Sequence, residues 1–345
     1  MLDERSKQIL HAVVQSYIGK FDPVGSRFVT KKYSFGFSPA TIRNVMADLE
    51  EMGFLSQPHT SAGRIPTDMG YRFYVDSLRD TDCICETTEL LPGFADDFTK
   101  RLEVLRNDIN TMFSEVSSTL SIISNYVGIA MAPRTENTTF ERIDLLKYKS
   151  GYAVAVLITE EGIIKNKVLQ IDPAMIQDDL NRISDYLNSE YSGLTIEELK
   201  GTLMSRMRVE KALWDKLMEK AVAICQQVLS FSREEIFVSG LYDVMNLPDF
   251  SDIARIKELS RAIKDKQYLL RFLEELAHAE GVQVVIGDEN PVGELRGLSI
   301  VTSNYKEGDR PMGIIALIGP KRMDYSKAIL MVDTVAQCIS RTFRS

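Results

Sequence analysis

The stretch from Ser38 to Val75, SPATIRNVMADLEEMGFLSQPHTSAGRIPTDMGYRFYV, constrains the fold more than any other part of the chain. Ser38 is a helix-capping residue, and Pro39 suits the first helical position, where a fixed φ helps and no N–H is missed. Ile42, Val45, Met46, Leu49 and Met52 recur at helical spacing as one apolar stripe, and Gly53 supplies the stop. Phe54 and Leu55 then read as a short strand, Gln57 to Gly63 as a polar loop, and Arg64-Ile65-Pro66 as a second short strand. Upstream, Ile9, Leu10, Val13, Val14 and Tyr17 predict a first helix ending near Gly19. Ser26 is expected to cap a short helix from Arg27 to about Tyr33, and Ser34-Phe35-Gly36-Phe37 makes the turn into Ser38. Thr67 or Asp68 caps a fourth helix through Leu78, which packs with Tyr71, Tyr74, Val75 and Leu78.

Three helices and a hairpin form the layout of a winged helix-turn-helix, and about 66 residues can close a small core around it. A helix of this size fits the DNA major groove, and a hairpin beside it reaches the backbone or minor groove. With the stripe turned inward, Ala40, Arg43, Asn44 and Ala47 point outward and Thr41 lies at the edge. Arginine matches guanine, and asparagine adenine, by paired hydrogen bonds. The expected DNA contacts are Ser38, Thr41, Arg43 and Asn44 on this helix and Arg27, Lys31 and Lys32 on the one before it. His59, Thr60, Ser61 and Arg64 join them from the hairpin, where Gly63 is expected to supply a positive φ. Charge is localised in the same way. The whole chain is acidic, −8 with 41 Lys+Arg against 49 Asp+Glu, yet residues 1–79 hold ten basic and eight acidic side chains. Gly25 to Ala47 holds four basic residues and no acidic one. A binder needing only nonspecific phosphate affinity would be basic throughout. Positive charge confined to one small surface suits a site-specific binder, although the solvated face of a small helical domain would look similar.

Beyond this unit, Asp80 to Pro92 is polar and aperiodic and reads as a linker. One long helix is predicted from Asp96 to Asn125, with Leu102, Leu105, Ile109, Met112, Phe113, Val116, Leu120 and Ile123 spaced by threes and fours. It is either a dimer seam or a helix laid on a sheet. Arg142–Tyr148, Tyr152–Ile158 and Ile163–Ile171 predict an antiparallel meander, with Ser150-Gly151 and Glu160-Glu161-Gly162 as its turns. A helical block from Pro173 to Phe231 ends on a wide face carrying Leu213, Trp214, Leu217 and Met218. Further strands are expected at Ile236–Ser239, Val282–Ile286, Leu298–Ser303 and Gly313–Ile318, with helices at Ile253–Ala279 and Tyr325–Phe343. The chain is therefore a multidomain α+β protein. One winged helix covers one short half-site, so a symmetric homodimer is expected. Leu213, Trp214, Leu217 and Met218 are the expected interface, since aromatic and Met side chains concentrate at interface cores. The same face could instead pack on the meander within one subunit.

The string PHTSAGRIPTDMGYRFYV, with PVGS upstream and ATIRN opening the helix before it, resembles the heat-inducible transcription repressor HrcA family of bacteria. VQVVIGDENP (282–291), LSIVTSNY (298–305) and GIIALIGPKRMDYSKAI (313–329) are similar to that family's C-terminal segments. The resemblance implies a winged-helix domain in residues 1–80 and a linker at 81–95. It also implies a GAF-like domain in 96–134 plus 233–345, interrupted by an inserted dimerisation domain in 135–232. As to function, it implies a dimeric, cytoplasmic repressor of chaperone operons that binds an inverted-repeat operator and is modulated by the GroEL chaperonin.

Other functions find little support. No H-E-x-x-H, G-x-S-x-G, Walker A or G-x-G-x-x-G is present, so neither an enzyme nor a cofactor is expected. His11 and His278 read as structural or solvent-facing. The cysteines at 83, 85, 225 and 338 read as reduced thiols with no metal, because a lone C-x-C lacks zinc spacing. The N-terminus, with Asp3, Glu4 and Arg5, does not resemble a signal peptide. The longest apolar runs, such as Ala153 to Ile158, are too short to span a bilayer. Lys321 and Arg322, at a strand end before a helix, could hold an anion. Alternatively they belong to a Gly-Pro turn in which Asp324 caps the helix. A second functional reading is a winged-helix repressor that senses a small molecule in the GAF-like domain.

Overall fold

The computed structural model describes residues 2–59, 62–80, 93–106, 108–133, 138–209, 223–224, 227, 236–250, 253–277, 279, 281–291, 293–308 and 310–344. Local signals build the N-terminal unit. Asp3 caps α1 (Glu4–Lys20) by accepting from the Ser6 N–H at 2.8 Å. α2 (Ser26–Lys32) starts one residue earlier than expected: Gly25 is the cap, and Ser26 is buried as the first helical residue. α3 (Pro39–Glu51) starts as read, with Ser38 Oγ accepting from Thr41 N at 3.1 Å. Ile42, Val45, Met46 and Leu49 are its buried stripe. Met52, the expected fifth member, is half-exposed because the helix ends there and Gly53 turns away at φ +82°. β1 (Leu55–Ser56) and β2 (Ile65–Pro66) pair antiparallel. Thr67 Oγ1 then caps α4 (Asp68–Asp80) by accepting from Gly70 N at 3.2 Å, and Tyr71, Tyr74, Val75 and Leu78 are buried.

The long helix expected after the linker is two helices, α5 (Phe94–Leu105) and α6 (Ile109–Ser124). The apolar period runs across the break, but Asp108 caps α6 through the Thr111 N–H at 3.1 Å and ends the continuity. Next come β3 (Val127–Met131), β4 (Phe140–Lys149), β5 (Tyr152–Thr159), β6 (Ile164–Gln170), α7 (Gln177–Tyr191), α8 (Ile196–Val209) and β7 (Ile236–Ser239). After α9 (Leu241–Met245), the helix expected over 253–279 is likewise divided, into α10 (Ile253–Lys264) and α11 (Lys266–Ala277). β8 (Gln283–Ile286), β9 (Leu298–Glu307), β10 (Arg310–Pro320) and α12 (Tyr325–Arg344) complete the chain.

A five-stranded sheet in the order β7-β3-β10-β9-β8 forms the body, with every neighbouring pair antiparallel. Both of its faces are covered, which makes its central strands apolar on both sides. Val301, Ile315 and Leu317 pack with α6 and α12, while Ile300, Ile314, Ala316 and Ile318 pack with α10 and α11. α6 is thus laid on the sheet, through Met112, Phe113, Val116 and Leu120. The sequence gives no signal for β3, because a glycine and an alanine interrupt its apolar run, yet all five residues are buried. The meander appears as expected, as a separate sheet in the order β4-β5-β6. One of its faces, with Leu145, Ala155, Leu157 and Leu169, shares a core of its own with α7. The opposite face leaves Leu146, Ile164 and Val168 exposed.

The core of the N-terminal unit runs without interruption into the α6/α12 side of the body. Tyr71 of α4 meets Tyr325 of α12 with ring centroids 5.9 Å apart. Among the described residues, no helix is long and apolar enough to cross a membrane.

Candidate nucleic-acid interface

The buried stripe of α3 decides what its other side presents. With Ile42, Val45, Met46 and Leu49 in the core, Ala40, Arg43 and Asn44 are exposed and Ala47 is half-buried. Ser38 and Thr41 meet at the start of the helix, their hydroxyls 2.9 Å apart. α2 packs on the core through Val29 and leaves Arg27, Lys31 and Lys32 exposed. Lys32 Nζ lies 5.0 Å from the centre of the Tyr33 ring, and Lys20 Nζ lies 4.4 Å from that of Phe28. These aromatic faces steady flexible cations at little cost in hydration. Arg27, Lys31, Lys32, Arg43 and Asn44 therefore all stand exposed on α2 and α3, helices that pack against one another.

The hairpin loop is closed by one backbone bond and one bond from the Gln57 side chain. Ala62 N donates to His59 O at 2.8 Å, and Gln57 Nε2 to Ala62 O at 2.9 Å, leaving His59 exposed. Thr60 and Ser61 lie outside the described residues. Gly63 does not have the positive φ expected of it. It is needed for close approach instead: a Cβ there would stand 2.5 Å from the Val24 carbonyl group. Two bonds across this contact, Val24 N to Arg64 O and Arg64 N to Val24 O, both 2.9 Å, fix the hairpin root to the turn before α2. The Arg64 side chain is turned inward, with Nε 2.7 Å from Glu50 Oε2 and the side chain 19 % exposed. Its Nε therefore faces Glu50 and not solvent.

The Lys321-Arg322 pair is not open to an anion. Lys321 Nζ is 2.6 Å from Asp68 Oδ1, and Arg322 Nε donates to both Asp249 oxygens at 2.8 and 2.9 Å. Arg322 also lies over the Phe21 ring, 4.1 Å from its centre. Asp324 Oδ1 accepts from Lys327 N at 3.2 Å, the capping role read in the sequence. The interface residues expected at Leu213, Trp214, Leu217 and Met218 lie outside the described residues, as do Cys83, Cys85, Cys225 and His278. Cys338 is buried on α12, with Sγ donating to Ala95 O. His11 is half-buried and takes the structural one of its two expected roles: it packs edge-on to Phe73 and Tyr74 and bonds Ser77.

Comparison with known proteins converges on one family. A family model described as the HrcA protein C terminal domain matches residues 110–329. The heat-inducible transcription repressor HrcA of Thermodesulfovibrio yellowstonii is 47% identical over 342 residues, covering 99% of this chain and 98% of its own. The protein of that name from Geobacter sulfurreducens is 39% identical over 340 residues, with 99% and 98% covered. A crystal structure of a hypothetical protein at 2.2 Å resolution shares the fold with a TM-score of 0.63 at 24% identity, covering 99% of this chain and 98% of that one.

Proposed function

The chain belongs to the heat-inducible transcription repressor HrcA family and is a transcriptional repressor of heat-shock genes, and on that premise we propose that its N-terminal 80 residues are a winged helix-turn-helix that reads an inverted-repeat operator. The observation that carries the reading is the split of α3, with a fully apolar buried face and an exposed face bearing Arg43 and Asn44 beside a hairpin. Arg43 and Asn44 read bases in the major groove, with Thr41 at its edge. Arg27, Lys31, Lys32 and Ser38 hold the backbone, and His59, Thr60 and Ser61 do so from the hairpin, joined by Arg64 when it exchanges Glu50 for a phosphate.

The body is read as a GAF-like domain in 96–134 plus 233–345, with 81–95 as linker and 135–232 as an inserted dimerisation domain. Two features support the insertion. The β4-β5-β6 sheet has its own core, and Met131 and Ile236, on either side of the insert, are partners in the body sheet. The protein acts as a homodimer. Leu213, Trp214, Leu217 and Met218 remain the proposed contact, and the exposed apolar face of β4–β6 offers a surface continuous with the same domain. Modulation by the GroEL chaperonin follows from the family resemblance. Footprinting on the source organism's chaperone promoters at defined salt, with and without added chaperonin, tests the whole reading. Symmetric protection of an inverted repeat, strengthened by chaperonin, is the expected result. No protection in either condition would refute it.

A further inference from the structure

Besides Arg322, which lies over the Phe21 ring, the N-terminal unit meets the body through two kinds of contact. One is the apolar seam around Tyr71 and Tyr325. The other is a set of directional bonds at the start of α4. Asp68 Oδ1 takes Lys321 Nζ at 2.6 Å, and its Oδ2 accepts from the Asp288 N–H at 2.9 Å. One turn on, Arg72 donates to both oxygens of Glu289, Nε at 2.7 Å, and to the Val284 carbonyl at 2.6 Å. The receiving side is built in advance. Glu289 is held by the Ile286 N–H at 2.8 Å, and the missing side chain of Gly287 leaves the space that the Asp68 carboxylate occupies.

The two kinds of contact do different work. Apolar burial is non-directional, so an apolar seam alone lets a helix turn or slide on its partner. A bidentate arginine–carboxylate pair is planar and fixes an angle. The side chains of Arg72 and Glu289 are 26% and 36% exposed, and those of Lys321 and Asp68 35% and 24%, so these pairs add little to stability. Their surviving role is orientation. We propose that Asp68, Arg72, Glu289 and Lys321 fix the direction in which the reading head leaves the body, and so set the spacing between half-sites that the protein accepts. They are positioning residues and touch no DNA. The inference rests on the dimeric, inverted-repeat reading given above.

The test uses the full chain and duplexes that the wild-type protein selects from a randomised pool. The spacer between half-sites is then lengthened or shortened by one to three base pairs; a change of about 1 base pair moves a half-site by roughly 3.4 Å and turns it by roughly 35°. Wild type should lose about tenfold or more in affinity at a two-base-pair change, and the Arg72→Gln/Lys321→Met variant less than about threefold. Affinity for a duplex with a single half-site should be the same for both proteins, which a merely unfolded head would not give. Should the double variant fail to fold, Glu289→Gln keeps the shape and loses the charge, and is read in the same way. Spacing profiles that coincide overturn the inference, and so does tighter binding by a variant at the selected spacing. A wild-type chain that selects no inverted repeat overturns the operator reading and this inference with it.

Discussion

Arg64 Nε stands 2.7 Å from Glu50 Oε2, which ties the second arm of the hairpin to the last turn of α3. The hairpin therefore moves with the helix beside it. Glu50→Gln should release the cation towards DNA, tighten operator binding and steepen its salt dependence by about one charge. Arg64→Ala should weaken binding to all sequences alike. Binding titrations from low to high salt check both. Unchanged slopes in the two variants would make Arg64 a tie for the hairpin and nothing more.

Arg43→Ala and Asn44→Ala should each cost about 1–3 kcal/mol on the operator and flatten discrimination at one or two base pairs. Both side chains are exposed, so the fold should be unaffected. Affinity measured across single-base operator variants is the check, with circular dichroism as the control. Wild-type affinity in both would remove this face as the reader.

Val154 and Val168 are partners in the meander and lie on the face that also carries Leu146. Val154→Glu with Val168→Glu should leave a folded protein that sediments as a monomer and binds its operator weakly. Trp214→Glu with Leu217→Glu should do the same if the interface spans both surfaces. A dimer that survives both pairs of changes has its contact elsewhere.

His11 couples stability to pH. Its Nε2 lies 2.7 Å from Ser77 Oγ, and that hydroxyl donates onward to Tyr74 O at 2.6 Å. The imidazole is therefore the donor to Ser77. Burial pushes its pKa below the ordinary 6.5. As pH falls through that value the unfolded chain takes up a proton that the folded chain resists, so the unfolded state binds more protons and stability drops. His11→Gln should shallow this loss as pH falls below about 6.5. Denaturant midpoints against pH provide the check, and equal slopes would place the linked proton elsewhere.

The sequence was most legible where one local rule acted alone. Ser38, Pro39 and Gly53 marked α3 at both ends, and the turns at Ser150-Gly151 and Glu160-Glu161-Gly162 marked the ends of β5. Met52 failed because a period cannot show where a helix stops facing the core. The single helix read over 96–125 failed because the apolar spacing crosses Asp108, whose cap outweighs it. Gly63 showed that a turn glycine has two possible reasons, and sterics against Val24 was the one that applied. The bonds of Asp68 and Arg72 were illegible for a plainer reason: their partners lie more than two hundred residues away.

The order of strands in the body carries a consequence for synthesis. β10 is the central strand, yet it and α12 are the last elements of the chain. Asp68 of α4 is made 253 residues before its partner Lys321, and Tyr71 likewise waits for Tyr325. Closing contacts so distant in the chain is slow and comes late in folding. Until β10 and α12 are made, the contacts of α4 with Lys321 and Tyr325 are missing, and the N-terminal unit is held less firmly to the body.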